Sequence, residues 1–264
     1  TSYLMKKTLI IMVSSGFTLR NYIKSNLVYD LQKQFNVVVM LPNIKSNIEE
    51  ELKENGLNVI KPFQESWPLY LNFIHTLLTY AHNKKLGLWH ITQWQYDFHF
   101  ASPKAKIFLF TINILSFCFQ FNTMFNYLKK IFLNKVYRFC RNSKNNQLIE
   151  KISPDLIIST NPYDLNETLV SIIAQQNKIE TYGSILSWDN LSYKGFIIPS
   201  FNKYLVWSDL MKNELVLHNN KIQRDNVFSL STIQFDFHFR KEMAWSRRRF
   251  YKHLNIKNNG KILL

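Results

Sequence analysis

The chain has 264 residues, 46% of them hydrophobic, which is enough to bury a core and excludes a disordered or fibrous protein. Its formal net charge of +15 favours anionic partners, such as phosphorylated small molecules, nucleic acid or acidic lipid. The two cysteines, Cys118 and Cys140, lack metal-ligand spacing, so we expect reduced thiols in a cytoplasmic protein rather than a disulfide framework.

Seven short β-branched runs alternate with longer polar or helical segments, which is typical of a parallel sheet with crossover helices. The first run follows a basic start like that of a secretory signal, but it is too short for one and predicts a buried strand. The expected strands are Thr8–Val13, Asn36–Met40, Leu57–Ile60, Asp155–Ser159, Thr181–Leu186, Lys203–Trp207 and Asn226–Leu230. The predicted fold class is therefore α/β, with a doubly wound, mostly parallel, Rossmann-like sheet.

The loop after the first expected strand, SSGFTLRN, is the first candidate binding site. Ligands of open α/β sheets bind outside the carboxyl ends of the strands, where loops converge. Gly16 allows close approach of the backbone, and Arg20 and Asn21 could hold a phosphate, carboxylate or sugar hydroxyl. The alternative is an ordinary tight turn with a surface arginine, because one glycine falls short of a dinucleotide fingerprint.

Residues 62–151, between the third and fourth expected strands, are rich in aromatic side chains and are predicted to form a helical insertion on the sheet. Within them, the stretch from Ile107 to Leu128 carries no charge, has lysines on both sides and reaches the usual length of a membrane span. Polar residues recur along one face at helical spacing, however, as in an amphipathic helix. A packed surface helix is favoured, a helix lying in a membrane interface comes second, and a span is least favoured.

Two further clusters have a suggestive composition but the wrong spacing. His90, Asp97 and His99 match neither a helical pair nor a zinc pattern, so we expect aromatic packing there and no metal. Basic clusters at Lys129 to Arg141 and Arg247 to Arg249 accompany no nucleic-acid-binding motif, so solvent or acidic lipid is their expected partner and nucleic acid is not.

Polar side chains also follow the fourth expected strand, in the sequence STNPYDLNE. Either Asp164 or Asn161 can cap the helix that follows, and Pro162 suits the entry to that helix. Capping is the simplest interpretation of this loop. Asn161 is in addition a candidate for ligand contact.

The end of the fifth expected strand, SWDNLSYKG, gathers several functional groups at one place. Trp188 could form an apolar wall against a sugar ring, Asp189 could accept a proton from a hydroxyl, and Asn190 could orient the acceptor. Lys194 could meet a phosphate. The alternative is structural, with the tryptophan packed beneath a loop that Asp189 caps, and the residues alone leave the two interpretations open.

The seventh expected strand ends in STIQFDFHF, where Asp236 and His238 could face the same cleft or simply terminate the sheet. The sequence then predicts a basic helix, a polar turn at residues 258–260 and the start of a new apolar strand. A domain does not normally end there, so we expect a truncation or a split reading frame.

Four motifs taken together, GFTLRN, SWDNLSYKG, YLVWSDLMKNEL and QFDFHF, resemble the amino-terminal half of GT-B glycosyltransferases. The resemblance is to bacterial enzymes of surface-polysaccharide synthesis, related to the nucleotide-sugar epimerases, and it is strongest from Ser153 onward. The chain departs from the family where STIQFD replaces a Gly-Thr-Pro-Gln-Phe-Asp run. Ser231 and Ile233 thus stand where the family has a turn-forming glycine and proline.

This resemblance implies two Rossmann-like domains that face each other across a cleft. Residues 1–255 would form the acceptor-side domain, and residues 256–264 a linker and the first strand of a missing nucleotide-sugar domain. Asp189 is the implied catalytic base, with Asp236 as the second candidate. The candidate acceptor-binding residues are Gly16, Arg20, Asn21, Asn161, Trp188, Asn190 and Lys194. No metal or other cofactor is implied, because enzymes of this fold use helix dipoles and basic side chains to stabilise the leaving diphosphate.

The activity that follows from the resemblance is sugar transfer from a nucleotide-sugar donor to a surface-polysaccharide or lipid-linked acceptor. Without the donor site, we expect this chain to be inactive on its own. The alternatives are a nucleotide-sugar epimerase-like enzyme, or a non-catalytic basic module bound to acidic lipid on the inner face of the cell membrane.

Overall fold

The computed structural model describes residues 6–25, 27–42, 46–87, 98–219, 221–239 and 245–256. Its seven strands are all parallel and lie in the order β3-β2-β1-β4-β5-β6-β7. The strands are β1 (Thr8–Met12), β2 (Asn36–Met40), β3 (Asn58–Ile60), β4 (Leu156–Ser159), β5 (Glu180–Ser184), β6 (Lys203–Val206) and β7 (Val227–Ser229). The predicted α/β class and its Rossmann-like sheet are confirmed, and each strand lies within one or two residues of its expected ends.

Helices connect the strands and cover the sheet. They are α1 (Gly16–Leu19), α2 (Leu27–Gln32), α3 (Ser46–Glu54), α4 (Leu69–Lys85), α5 (Pro103–Phe119), α6 (Asn122–Arg141), α7 (Lys144–Ile152), α8 (Leu165–Gln176), α9 (Asn190–Tyr193), α10 (Asp209–His218) and α11 (Arg247–His253). A π-helical turn at Arg20–Lys24 continues α1, and 3-10 helices lie at Arg224–Asn226 and Ile233–Phe239. The stretch predicted as a helical insertion contains α4, α5, α6 and most of α7.

The sheet is buried on both sides of β1, as the apolar run TLIIM requires. Ile10 and Met12 pack on one side against α4, α6 and α8. Leu9 and Ile11 pack on the other side against α1, the π-helical turn and α2. Each fully buried aliphatic side chain of this kind contributes about 1.5–3 kcal/mol relative to exposure.

The direction of winding reverses between β1 and β4, which are hydrogen-bonded neighbours although most of the first half of the chain separates them. The helices that follow β1 lie on one face of the sheet, and α8, which follows β4, lies on the other. The loops after the two strands must therefore diverge at their carboxyl ends. Such a switch point leaves a crevice for a ligand in open α/β sheets.

An aromatic cluster attaches the inserted helices to the sheet. Phe196 lies at its centre, with His75, His82, Phe125 and Phe132 all between 5.9 and 6.3 Å away, measured between ring centroids. Burial lowers the pKa of His75 to about 4 and that of His82 to about 3, so both imidazoles are neutral and pack as apolar rings. The loop after β5, which carries Phe196, is thus anchored to α4 and α6.

The close packing of Gly183 against Phe201 gives a test of the sheet. A Cβ atom on Gly183, in β5, would lie 2.6 to 2.9 Å from three atoms of the Phe201 ring, which is buried. We expect Gly183→Ala to lower the free energy of unfolding by about 1–3 kcal/mol through overpacking, measured by urea denaturation. Gly16→Ala is the matched control, because an added Cβ there meets nothing within 4 Å; equal stabilities of the two variants would contradict this account.

Candidate active site

The loop after β1 presents an open backbone turn. Ser15 caps α1 by accepting a hydrogen bond from the Thr18 amide at 3.2 Å, and the Thr18 hydroxyl accepts one from the Ser15 amide at 3.1 Å. This reciprocal pair fixes the turn without using Gly16. A Cβ on Gly16 would have no neighbour within 4 Å, so the space above it is free for a ligand.

Arg20 and Asn21 follow on the π-helical turn and face different surroundings. The Arg20 side chain is exposed, with its guanidinium 4.6 Å from the centroid of the Phe17 ring and its Nε donating to Asn21 Oδ1 at 3.3 Å. Asn21 is buried and lines a cavity described below. The arginine is therefore pre-positioned at the rim of the turn, where an anion could reach it.

A buried carboxyl group, Glu167 on α8, lies at the switch point between β1 and β4. Its Oε1 accepts from the Ser14 amide at 3.2 Å, and its Oε2 accepts from the Asn161 amide and the Ser159 hydroxyl, each at 2.8 Å. One carboxyl group thereby joins the loop after β1 to the loop after β4. It leaves these loops at a fixed separation.

The proton affinity of Glu167 follows from its burial. Burial raises the pKa of this carboxyl to about 8, and the hydrogen bonds from Ser14, Asn161 and Ser159 oppose part of the rise. The Thr160 hydroxyl donates to the Met12 carbonyl at 2.7 Å, and its oxygen lies 3.4 Å from Glu167 Oε1, where it can accept the proton of a neutral carboxyl group. A protonated carboxyl can therefore be accommodated at this position.

In the loop after β4, the cap of the following helix is Asp164 rather than Asn161. Asp164 Oδ1 accepts from the amides of Asn166 and Glu167 at 2.9 and 3.1 Å. Asn161 is half-buried; its backbone amide donates to Glu167, and its backbone carbonyl accepts from the Asp164 amide at 2.9 Å. The Asn161 side chain is thus not the cap, and its role in ligand contact stays a prediction.

The loop after β5 places Trp188 and Asp189 at the surface. Trp188 is 68% exposed, and Asp189 is also exposed. Asp189 occupies the N-cap position of α9, but its side chain makes no capping hydrogen bond there. The structural alternative for both residues, a packed tryptophan under a capping aspartate, is therefore wrong.

The remaining residues of this motif support the loop. Asn190 is buried, and its backbone N–H donates to the Ser187 carbonyl at 3.1 Å. Lys194 is exposed at the C-terminal end of α9. Gly195 adopts φ +84°, and a Cβ there would lie 2.6 Å from Cγ2 of Thr79 on α4, so the turn requires glycine for both reasons. Ligand contact by Asn190 and Lys194 stays a prediction.

The candidate turns lie at one edge of the sheet. Since all strands are parallel, the loops after β1, β4 and β5 leave the sheet at the same edge, and β4 alone separates the other two. A direct contact crosses this gap, because the Tyr22 hydroxyl on the π-helical turn donates to Ser184 Oγ at the end of β5, at 2.6 Å. The Gly16 turn and the Trp188–Asp189 turn therefore lie at one edge of the sheet, on the two sides of the β4 end, where the topology predicts a crevice.

Asp236, the second candidate base, lies in the 3-10 helix after β7. This helix packs against the π-helical turn, so the chain after β7 returns from the edge of the sheet toward β1. Asp236 is exposed. Ser231, just before the helix, adopts φ +57°, a left-handed conformation in which glycine is preferred.

A mainly apolar cavity of about 310 Å³ lies beneath this 3-10 helix. Its walls come from the sheet, the π-helical turn, α2 and the 3-10 helix. Polar groups reach it at one end from Asn21, Tyr22 and Ser184, and apolar walls come from Leu205, Trp207 and Ile233. It adjoins the crevice through Tyr22 and Ser184.

Metal ligation has no structural support in the part of the chain that the structure describes. Within those ranges, no group of three or more histidine, cysteine, aspartate or glutamate side chains is placed to hold an ion. His99 is exposed and contacts the Phe100 ring edge-on, while His90 and Asp97 lie outside the described residues.

Two residues central to this site, Glu167 and Tyr22, were not predicted from the sequence. Glu167 follows the cap Asp164 at the spacing of a capping box, which predicts an exposed side chain at the start of a helix. Tyr22 belongs to the apolar face of its helix, where a core side chain is expected. Only the three-dimensional arrangement reveals that Glu167 lies at the switch point and that the Tyr22 hydroxyl reaches the end of β5.

No protein-family model matches the sequence, and no curated protein sequence matches it significantly. Solved structures similar to the chain include a glycosyltransferase from Rickettsia africae ESF-5, with a TM-score of 0.48 and 10% identity over 96% of this chain and 51% of that one. They also include Anabaena HepE in complex with UDP and glucose (TM-score 0.39, 8% identity, 86% and 44%) and the lipopolysaccharide outer core galactosyltransferase WaaB (0.38, 9%, 85% and 45%).

The chain spans about half the length of these structures. The similarity is to glycosyltransferases of the GT-B type, the class that the sequence motifs resemble. At 8–10% identity this similarity assigns no residue of the chain a role.

The raised pKa of Glu167 predicts a specific pH dependence of stability. The folded protein binds the Glu167 proton more tightly than the unfolded chain does. Protonation of Glu167 therefore stabilises the folded state fully below the ordinary pKa of 4.5, and this stabilisation is lost as the pH rises through about 8. We expect Glu167→Gln to flatten the decline of the urea midpoint across this range. Glu54→Gln, at an exposed position on α3, should retain the wild-type decline, and the same slope in all three proteins would refute the assignment.

The backbone of Ser231 predicts a stabilising substitution. A left-handed conformation costs an L-residue about 1 kcal/mol, part of which the greater freedom of glycine in the unfolded chain cancels. We expect Ser231→Gly to raise the free energy of unfolding by up to roughly 1 kcal/mol, measured by urea denaturation. Ser200→Gly, at an exposed site without a positive φ, should lower it; a loss of stability in Ser231→Gly would contradict the strain.

Proposed function

We propose that this chain is the acceptor-binding half of a glycosyltransferase that moves a sugar from a nucleotide-sugar donor to a surface-polysaccharide or lipid-linked acceptor. The observation that carries the proposal is the exposed carboxylate of Asp189 beside the exposed ring of Trp188. Both lie at the carboxyl edge of the sheet, and only β4 separates their strand from the strand that leads into the open Gly16 turn. A carboxylate that is free of capping can act on a bound hydroxyl.

Acceptor recognition would use the two sides of the crevice. The flat ring of Trp188 offers an apolar surface to the C–H face of a sugar. Opposite it, the backbone at Gly16 is open and the Arg20 guanidinium lies at the rim, suited to hydroxyl or phosphate oxygens of the acceptor. Lys194, on the tryptophan side, supplies a second cation at the surface.

The chemistry at Asp189 would be general-base catalysis. As the acceptor hydroxyl oxygen forms a bond to the anomeric carbon, its proton passes to the Asp189 carboxylate. The bond from the anomeric carbon to the diphosphate breaks, and the nucleoside diphosphate leaves with the electron pair. The donor would be held by a second domain facing this edge of the sheet, with Asp236 as the other candidate for the proton.

A lipid-linked acceptor would also determine where the protein works. Nucleotide sugars are polar and anionic, so the proposed donor side faces the cytoplasm, and a lipid-linked acceptor places the crevice near the inner face of the cell membrane. The net charge of +15 suits an acidic-lipid surface.

Sugar binding by the chain itself tests the acceptor site. In saturation-transfer NMR against a panel of mono- and disaccharides, we expect binding to the wild type, and at least a tenfold weaker affinity in Trp188→Ala because the stacking surface is lost. Trp245→Ala is the matched control, since this tryptophan is also exposed but lies before α11. No sugar bound above background, or equal loss in both variants, would overturn the acceptor site.

The role of Asp189 requires a second measurement. Asp189→Asn should bind the same sugars within about threefold and keep its stability, because the carboxylate caps no helix. In a form that includes a nucleotide-sugar-binding domain, it should lower the transfer rate by about 10²–10⁴-fold, the usual contribution of a general base. Full activity of this variant would exclude Asp189 as the base and turn attention to Asp236.

A further inference from the structure

The helix α5 is apolar on nearly every side, yet only a narrow strip of it is buried. Ile112 and Ser116 face the interior and contribute its buried positions. Five large apolar side chains elsewhere on the helix are between 39% and 70% exposed: Ile107, Phe108, Phe110, Ile114 and Phe117. A helix that is hydrophobic all round is normally covered on all sides, so the outer face of α5 is expected to have a partner.

The exposed apolar surface continues across the turn into α6. Phe121, Met124 and Tyr127 on the first turns of α6 are also exposed, at 43% to 69%. We call the eight residues from these two helices the hairpin face. Contiguous apolar surface of this kind on a folded protein marks a site of association rather than an ordinary solvated surface.

The charges around the hairpin face have a single sign. Residues 98–149 contain eight lysines and arginines and no acidic residue. Lys104 and Lys106 lie at the start of α5, and the exposed Lys130 follows the apolar part of α6, whereas the neighbouring Lys129 is directed inward over the Phe196 ring. Lys84 on α4 lies at the edge of the face, with its Nζ 3.3 Å from the centroid of the Phe117 ring and hydrogen-bonded to Asn113.

This combination fits an acidic lipid surface better than a protein. A second copy of the chain would bring two cationic rims together, which is unfavourable. In a bilayer interface, by contrast, aromatic and aliphatic side chains enter the acyl boundary while surrounding lysines remain at the anionic headgroups. Within the described residues no single helix is long and apolar enough to span a membrane, although α5 and α6 together, bent by 118°, have the length and composition of a broken span.

We propose that the hairpin face is a membrane-docking surface, which lies in the headgroup region of a bilayer rich in acidic lipid with α5 along the membrane plane. The hairpin face is linked to the loop after β5, because α4 packs against both α5 and α6 and its Thr79 lies against the Gly195 turn. Docking needs no sugar, so it stands or fails independently of sugar transfer.

Vesicle sedimentation tests the surface. We expect the wild-type chain to bind phosphatidylglycerol-containing vesicles at least tenfold more strongly than phosphatidylcholine vesicles, and to bind them more weakly at high salt. The triple variant Ile107→Ser, Phe110→Ser, Ile114→Ser should lose at least tenfold of this binding, because all three side chains are exposed in the free protein. Leu210→Ser with Leu217→Ser, on the exposed side of α10, is the matched apolar control and should bind as the wild type does.

The chain offers a natural probe of insertion. Its two cysteines differ, since Cys118 on α5 is exposed and Cys140 on α6 is buried, so an environment-sensitive dye will label Cys118 selectively. On addition of acidic vesicles we expect a blue shift of the dye and protection from a water-soluble quencher. Attachment by charge alone would leave the dye in water and would contradict insertion of the hairpin face.

The charge contribution is tested separately. Lys104→Glu with Lys106→Glu should weaken binding to acidic vesicles at least tenfold, while Lys7→Glu with Lys252→Glu, exposed and remote from the hairpin, should change it less than threefold.

Absence of binding to acidic vesicles would overturn the proposal. So would a dimer in light scattering that the triple serine variant dissociates without any vesicle binding, because the face would then join two copies. Asp189→Asn should bind vesicles normally, which separates this result from a failure of the proposed catalysis.

Discussion

The buried carboxyl group of Glu167 is the interaction on which the candidate site depends. An open parallel sheet places its loops at one edge, but nothing in that topology fixes how far apart two loops stand at the switch point. Glu167 does so by accepting from the Ser14 and Asn161 amides at once. An unpaired amide at either position would carry the cost of a buried, unsatisfied donor, about 1–3 kcal/mol. The loops are therefore tied to each other through the helix that follows β4.

The same constraint leaves the functional groups exposed. Because Glu167 and the Ser15–Thr18 pair satisfy the backbone of the first two loops, the Gly16 turn needs no further support. In the third loop, Asn190 and Gly195 are packed inward and hold the turn, while Trp188 and Asp189 are left at the surface. Buried side chains that hold the turn and exposed side chains are thus separated within one motif of nine residues.

The fold could be predicted from the sequence more completely than the site. Runs such as TLIIM and NVVVM, separated by helical segments, predict parallel strands because both faces of such strands are buried. Whether Asp189 caps α9 could not be predicted, since an aspartate before a short helix usually does so and only its observed geometry decides. Glu167 escaped prediction because its spacing from Asp164 indicates local capping, whereas its actual partners lie on β4 and in the loop after β1. Contacts between distant parts of the chain leave no local pattern.

The contact between Gly195 and Thr79 has a mechanical consequence. With φ at +84° and space for hydrogen only, this turn cannot move closer to α4 without a backbone rearrangement. A tilt of α4 would therefore displace the nearby tryptophan turn as one rigid body, and a load on the inserted helices would alter the width of the crevice. The insertion can thus act as a lever on the carboxyl edge of the sheet.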